Sequence, residues 1–354
     1  MFGLFNNKPK ALLGIDISSN SIKVIQLSCE GGQYRLEAFG SDRLPEGAVV
    51  ENTIQNTEVV GNAISKAVAR SRSNLNDVAV AVTGAAVITK MIEMDASLSD
   101  GEMESQIAVE ADQYIPYALD EVAIDFEVQS LNADNPQRAE VLLAACRKDS
   151  VESLEEVLEI AGLNAAVVDI EAFAMERAFE LLEGNISLSV EEPAVAVVDI
   201  GSDSTSLYVL IDGKTVYTRE QPFGGQQLID EVQRHYEFTQ DEAVQAVKQG
   251  TLPEDYESEL LRPFRDATVQ QISRSLQFFY SSSQHSQVDA IALAGGTALI
   301  SGLVPQLQKE LGGNVFLANP FADMSFSGKI NTKELTLIAP SLMVACGLAM
   351  RSFD

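Results

Sequence analysis

Two stretches about half a chain apart repeat one design, and that repeat limits the fold more than any other feature of the sequence. Ala11-Leu12-Leu13-Gly14-Ile15-Asp16-Ile17 is an apolar run closing on an aspartate, which reads as a buried strand. Ser18-Ser19-Asn20-Ser21 is turn chemistry, and Ile22 to Leu27 reads as a return strand. Downstream, Ala194-Val195-Ala196-Val197-Val198-Asp199-Ile200, the turn Gly201-Ser202-Asp203-Ser204 and the return Thr205 to Ile211 do the same. Asp16 and Asp199 stand 183 positions apart in a chain of 354 residues. A strand–turn–strand unit repeated at half-length predicts an α/β chain of two related lobes facing each other, and the length suits two lobes better than one simple core.

Such lobes need no disulfides, because 46% of the residues are hydrophobic. The chain carries 24 Lys and Arg against 52 Asp and Glu, a formal net charge of −28. So acidic a surface repels phosphate backbones, which argues against nucleic acid as a partner and against a bare electrostatic hold on anionic lipid. A nucleotide must instead be held by backbone amides and a divalent cation. Tryptophan is absent and aromatics make up 6%, which argues against sugar-binding or base-stacking platforms. Cys29, Cys146 and Cys346 are far apart, with no CxxC pair and no zinc spacing to His235 or His285. They read as small buried hydrophobes in a reducing compartment. Met1 to Lys10 lacks the apolar stretch of a signal peptide. The apolar run Leu335 to Met350, broken by Pro340 and Ser341, falls short of the roughly 20 residues of a membrane span. The expectation is a cytoplasmic protein.

Between the repeats lies an insertion-like block. Lys90 to Asp95 reads as a strand, and Ser99-Asp100-Gly101-Glu102 has capping-box form. The helix after it places Met103, Ile107, Ala111 and Tyr114/Ile115 on one face and ends at Pro116. Val122 to Leu131 and Glu140 to Cys146 read as strands around the turn Asn132-Ala133-Asp134-Asn135-Pro136. A second helix from Asp149 carries Val151, Leu154, Leu158 and Ala161 inward and stops at Gly162. Strand–helix–strand–strand makes a compact α+β module. From Asp95 to Glu127 it holds ten acidic residues and no basic one. That run is either a solvated face or a docking surface for a basic or polar peptide. In the second half, Phe223-Gly224-Gly225 introduces helices at about Gln226 to Tyr236 and Asp241 to Lys248. Pro253 and Pro263 interrupt before a helix of roughly Phe264 to Ser281. Val288 to Leu293 reads as a strand running into Ala294-Gly295-Gly296-Thr297-Ala298, with helices at about Ser301 to Leu311 and Pro340 to Arg351.

Chemistry concentrates at the repeated turns. Amides and hydroxyls of Ser18, Ser19, Asn20 and Ser21 beyond a strand end form a natural cradle for phosphate oxygens. Asp16 would be repelled by phosphate directly, so it acts through Mg2+ and water, and Lys23 can supply compensating charge. Asp199, Gly201, Ser202, Asp203 and Ser204 repeat the logic, with Gly201 allowing close backbone approach. One such turn is common hairpin chemistry. Two in register, plus the glycine pair Gly295-Gly296 after a strand, point to a nucleotide clamp. Gly213-Lys214-Thr215 is set aside as a hairpin turn, because Tyr208 stands where a Walker loop needs its first glycine.

These residues carry a resemblance. Asp16 to Lys23 is similar to the first phosphate loop of the actin, heat-shock-70 and sugar-kinase superfamily, Asp199 to Ser204 to its second, and Ala294 to Ala298 to its adenosine loop. The opening Phe-Gly-Leu-Phe and the run Leu-Leu-Gly-Ile-Asp-Ile-Ser-Ser-Asn-Ser-Ile-Lys-Val resemble the PilM family of type IV pilus assembly proteins, as does the module, which that family shares with the cell-division protein FtsA. The resemblance implies an actin-like (ribonuclease-H-like) two-lobed fold with an inserted FtsA-type α+β module. Residues 1–86 and 163–192 would form the first lobe, 87–162 the module, 193–225 and 286–354 the second lobe, and 226–285 a mostly helical adenosine-side subdomain. It further implies that Glu171 positions an attacking water, although a helix cap has the same look. Gly224, Gly225 and Asp230 would open the adenosine side, and Gly295, Gly296 and Thr297 would belong to the adenosine loop. Glu242, Lys248 and Arg274 would contact ribose and base, and charged helix surface is the plain alternative.

The implied function is an ATP-binding scaffold for type IV pilus assembly and twitching motility, peripheral to the inner membrane. ATP would close the cleft, and the closed lobes would present a groove between module and first lobe to the N-terminal cytoplasmic tail of PilN. ATP, ADP and Mg2+ are the implied cofactors, with slow or absent turnover. Contacts with pilus motor ATPases are implied too, and a homodimer is left open. A small-molecule kinase is one alternative, but it needs an acceptor pocket and a general base, and no sugar-kinase signature is visible. An FtsA-like filament former is another. Such relatives carry a C-terminal amphipathic membrane helix, whereas Asp354 directly follows the final core helix, so membrane attachment is expected to be indirect.

Overall fold

The computed structural model describes residues 11–111, 115–132, 135–184, 186 and 192–353. Met1 to Lys10, Tyr114, Ala133 and Asp134, which figure in the sequence reading, lie outside the described residues. The first lobe starts with the antiparallel strands β1 (Leu13–Ile17), β2 (Ser21–Glu30) and β3 (Gln33–Arg43). A tight hairpin, β4 (Val49–Val50) and β5 (Thr53–Ile54), leads to α1 (Thr57–Ser71), and β6 (Asp77–Val82) returns parallel to β1. Asn56 caps α1 by accepting from the Val59 amide, and Val60, Ala63, Ile64 and Ala67 recur at the 3.6-residue period that buries one face.

The module follows: β7 (Val87–Asp95), α2 (Asp100–Glu110), β8 (Val122–Leu131), β9 (Arg138–Arg147) and α3 (Lys148–Ile160). Its sheet has the order β7-β9-β8. The Ser99–Glu102 capping box forms, and Leu154, Val157 and Leu158 turn α3 toward the first lobe's core. The chain re-enters the first sheet with β10 (Asn164–Ile170) and crosses over through α4 (Glu171–Glu183).

The second lobe holds β11 (Ala194–Ile200), β12 (Thr205–Ile211) and β13 (Lys214–Gln221), then the helices α5 (Gly225–Tyr236), α6 (Gln240–Gln249) and α7 (Arg262–Ser282). It closes with β14 (Ala290–Ala294), α8 (Leu303–Leu311) and β15 (Asn314–Leu317). The chain then adds the two-residue strand β16 (Ser325–Phe326) to the edge of the first sheet and ends in α9 (Thr332–Ile338) and α10 (Met343–Met350). The two sheets, β10-β6-β1-β2-β3-β16 and β13-β12-β11-β14-β15, share one topology: β11, β12, β13, β14 and β15 occupy the places of β1, β2, β3, β6 and β10. The predicted two-lobe repeat is therefore structural as well as sequential.

α4 and α10 hold the lobes together. Residues of both sheets, among them Ala79, Val195 and Val197, share one core with Ala174, Ala178, Met343 and Leu348. A side chain at Gly347 would sit 1.7 Å from the Ala174 carbonyl, so the two helices cross at backbone contact.

Two expectations are corrected. Pro263 does not interrupt a helix: a π-helical turn, Glu257–Leu261, runs straight into α7, and the Arg262 amide bonds back to the Glu257 carbonyl. The wider turn, together with the place of Pro263 at the start of α7, accommodates a ring that lacks an N–H. Likewise, Thr332–Phe353 forms a helical run of 22 residues, long and apolar enough by composition to cross a membrane. Since 72% of its most apolar stretch is buried against the sheets and α4, the run serves as core.

Candidate functional site

Each lobe offers its first hairpin turn to the cleft, and the two turns use the same backbone bond. The Ser18 amide donates to the Ser21 carbonyl at 3.0 Å, and the Gly201 amide to the Ser204 carbonyl at 2.9 Å. Asp16 pairs across the ladder with Lys23, and Asp199 with Ser206. Cross-strand partners share a sheet face, so these registers decide what each aspartate meets. Lys23 Nζ donates to Asp16 Oδ2 at 2.7 Å and to Ser18 Oγ at 2.6 Å. Ser18 Oγ in turn lies 3.2 Å from both Asp16 oxygens. Ser19 is half-buried, and Asn20 accepts from Ser21 Oγ at the exposed tip.

Around the second turn three glycine-bearing segments meet. The amides of Gly225 and Gln226 donate to the carbonyls of Gly201 and Ser202 at 3.0 and 2.8 Å. Thr297 Oγ1 donates to the Gly201 carbonyl at 2.7 Å. A methyl group on Gly224 would lie 2.2 Å from the Ser202 carbonyl oxygen. Gly295, at φ +87, would put one 2.3 Å from the Ile200 carbonyl oxygen and 2.4 Å from Asp199 Oδ1. No L side chain fits those contacts. Gly201, Ser202, Gly224, Gly225, Gly295 and Thr297 are thus assembled into one nest, with Asp203, Ser204 and Gly296 at its rim.

Glu171 opens α4 without a capping role and joins this group electrostatically. Its carboxyl is pushed up to about 8, first by burial and then by Asp16, Asp199 and Glu220, with Lys23 opposing. Asp199 is raised to about 6 by burial, which Lys23 partly offsets. Asp16, Glu171, Asp199 and Glu220 of the two lobes thus lie within electrostatic reach of one another, with Lys23 as a compensating ammonium, an arrangement that favours a cation or protonation.

The remaining predicted residues are placed differently. Asp230 accepts from Gln226 along α5. The Glu242 carboxylate is engaged by the Thr239 amide and hydroxyl as a capping box, which holds it below the usual carboxylate range. Lys248 is lowered by burial and by nearby Arg43 of the opposite lobe. Arg274 is exposed midway along α7, and its neighbours Ser273 and Gln277 line a cavity of about 330 Å³ reaching Tyr280, Asp289 and Asn314.

The sequence reading missed Glu220 and Asn52. Glu220, next to last in β13, stands in the ladder row Asp199–Ser206–Glu220, and Asn52 Nδ2 donates to Glu220 Oε1 at 2.9 Å across the lobes. The available clue was the Glu51-Asn52 pair between two short apolar runs, a two-residue hairpin signal.

The model of the family "Type IV pilus assembly protein PilM" matches residues 14–353. A solved structure described as a PilM-PilN type IV pilus biogenesis complex is similar at 27% identity and TM-score 0.80, over 98% of this chain and 99% of that one. The ethanolamine utilization protein EutJ from Carboxydothermus hydrogenoformans is similar at 17% identity and TM-score 0.55, over 97% and 90%. The chain has the actin-like two-lobed α/β fold with an inserted module.

Proposed function

Because the chain belongs to the family of type IV pilus assembly protein PilM, we propose that it is an ATP-binding scaffold of the pilus assembly platform. The observation that carries this reading is the convergence of two equivalent hairpin turns and the Gly224/Gly295 nest on one space lined by Asp16, Glu171 and Asp199. The amides and hydroxyls of residues 18–21 and 201–204 hold phosphate oxygens, and Gly224, Gly225, Gly295, Gly296 and Thr297 flank the nucleoside. Residues 87–162 act as an inserted unit between the parts of the first lobe, and 226–285 as the adenosine-side unit that carries Glu242, Lys248 and Arg274.

Mg2+ suits this donor set. Among the described residues no three His, Cys, Asp or Glu cluster closely enough to ligate a metal by themselves. Mg2+ keeps several waters and binds through few carboxylates plus substrate phosphates, which matches Asp16 and Asp199 acting through water. When bound, the ion neutralises phosphate charge. Glu171 would orient water near the terminal phosphate, and turnover is slow at most.

The partner is the N-terminal cytoplasmic tail of PilN, by extension from the related complex. It attaches the protein peripherally to the inner membrane. Mg-ATP and the tail each favour the closed lobes, so each strengthens the other's binding. Calorimetric titration of a PilN tail peptide with and without Mg-ATP tests this. The expected result is saturable binding that tightens with nucleotide; no binding in either condition overturns it.

A further inference from the structure

The lobes touch across the cleft mouth through the β4–β5 hairpin. Its turn, Glu51-Asn52, has φ of +46 and +60, the left-handed pair of a type I′ turn, which glycine and asparagine tolerate best. This backbone aims the Asn52 amide at Glu220. Nearby, Arg43 Nη1 lies 3.5 Å from Asp241 of α6.

What lies behind each end of this contact gives it meaning. On one side, the Gln55 and Asn56 amides donate to the Ala48 carbonyl, so the hairpin is tied at its base, and Asn56 caps α1. α1 packs on α3 of the module: Thr57 Oγ1 donates to Glu156 Oε1 at 3.1 Å, and Gly61 lies against Ile160. On the other side, Glu220 shares a ladder row with Ser206 and Asp199. Beyond it, the Phe223 amide donates to the Gln221 carbonyl, Thr205 Oγ1 donates to the Phe223 carbonyl at 2.6 Å, and Gly224 rests on Ser202. The start of β13 is pinned as well, because Glu176 of α4 accepts from Lys214 Nζ and from the Thr215 amide at 3.0 and 2.8 Å. β13 is thus held at both ends by residues outside its lobe.

We propose that the Asn52–Glu220 contact couples the module to the second phosphate loop, passing cleft closure from Ser202 and Gly224 through β13 and the β4–β5 hairpin to α1 and α3. The inference rests on nucleotide binding in the cleft and names the regulation of that site. A spatially continuous chain is not itself coupling, so the test measures transmission.

Hydrogen exchange of the full chain, with and without Mg-ATP, reads both ends at once. In the wild type, Mg-ATP slows exchange in residues 199–206 and 224–236 and also in α1 and α3. Asn52→Gly keeps the turn backbone and removes the amide, so it retains protection at the phosphate loop and loses about five-fold protection in α1 and α3. Asn52→Asp, which keeps the turn but repels Glu220 instead of donating to it, does the same. Unchanged protection of α1 and α3 in Asn52→Gly, or none there in the wild type despite protection at the loop, overturns the coupling. No protection at the loop in the wild type overturns the nucleotide reading and the coupling with it.

Discussion

The two lobes present the same hairpin to the cleft and furnish it with unequal charge. In the first, the ladder row runs Asp16–Lys23–Ser41; in the second, it runs Asp199–Ser206–Glu220. The first row is neutral by side-chain charge and locks its aspartate in an ion pair. The second carries two carboxylates and no cation, and Asp199 responds with a carboxyl raised to about 6. A duplicated backbone has thus been divided by side chains into a self-compensated half and a half that awaits positive charge. The outer edges differ as well, since β16 covers β3 while β13 is the last strand of its sheet.

The largest effect follows from breaking the backbone nest of the second lobe. Gly295→Ala forces a methyl into the Ile200 carbonyl at a positive φ, so chemical denaturation registers a loss of at least about 2 kcal/mol together with lost nucleotide binding. Exchanging the charges comes next. Ser206→Lys places an ammonium opposite Asp199, drops its carboxyl back toward the ordinary range, and weakens the Mg2+ dependence of ATP binding about ten-fold by titration. A carboxyl raised on folding destabilises the fold as pH climbs: stability is full below the unfolded value and lost through about 8 for Glu171. Glu171→Gln removes that loss, raising the nucleotide-free melting temperature by about 3 °C at pH 8 and leaving it nearly unchanged at pH 5. The smallest effect sharpens the role of α6. Glu242→Gln preserves the capping box and leaves the melting temperature nearly unchanged, so any fall in ATP affinity then reports a ribose contact.

The sequence exposes whatever local chemistry specifies. Both hairpins, the Ser99 box, the module's order of elements and the Asp212-Gly213 turn follow from period, caps and turn residues. It hides what depends on register or distant pairing. Pro263 reads as a break because the π turn ahead of it leaves no local mark. β16 is two residues long and finds β3 about 290 positions away in the chain. Glu220 resembles any alternating surface residue until β13 aligns it with Asp199. Glu171 is visible as a helix start, whereas its perturbed carboxyl arises from charges on both lobes.

The central claim is that two unlike loops form one clamp. Calorimetric titration of Mg-ATP into the wild type, Asp16→Ala, Asp199→Ala and the double variant tests it. The account predicts a large loss in each single variant and a double loss well short of their sum, because either aspartate fails without the other. Additive losses, or affinity unchanged in either single variant, would contradict it.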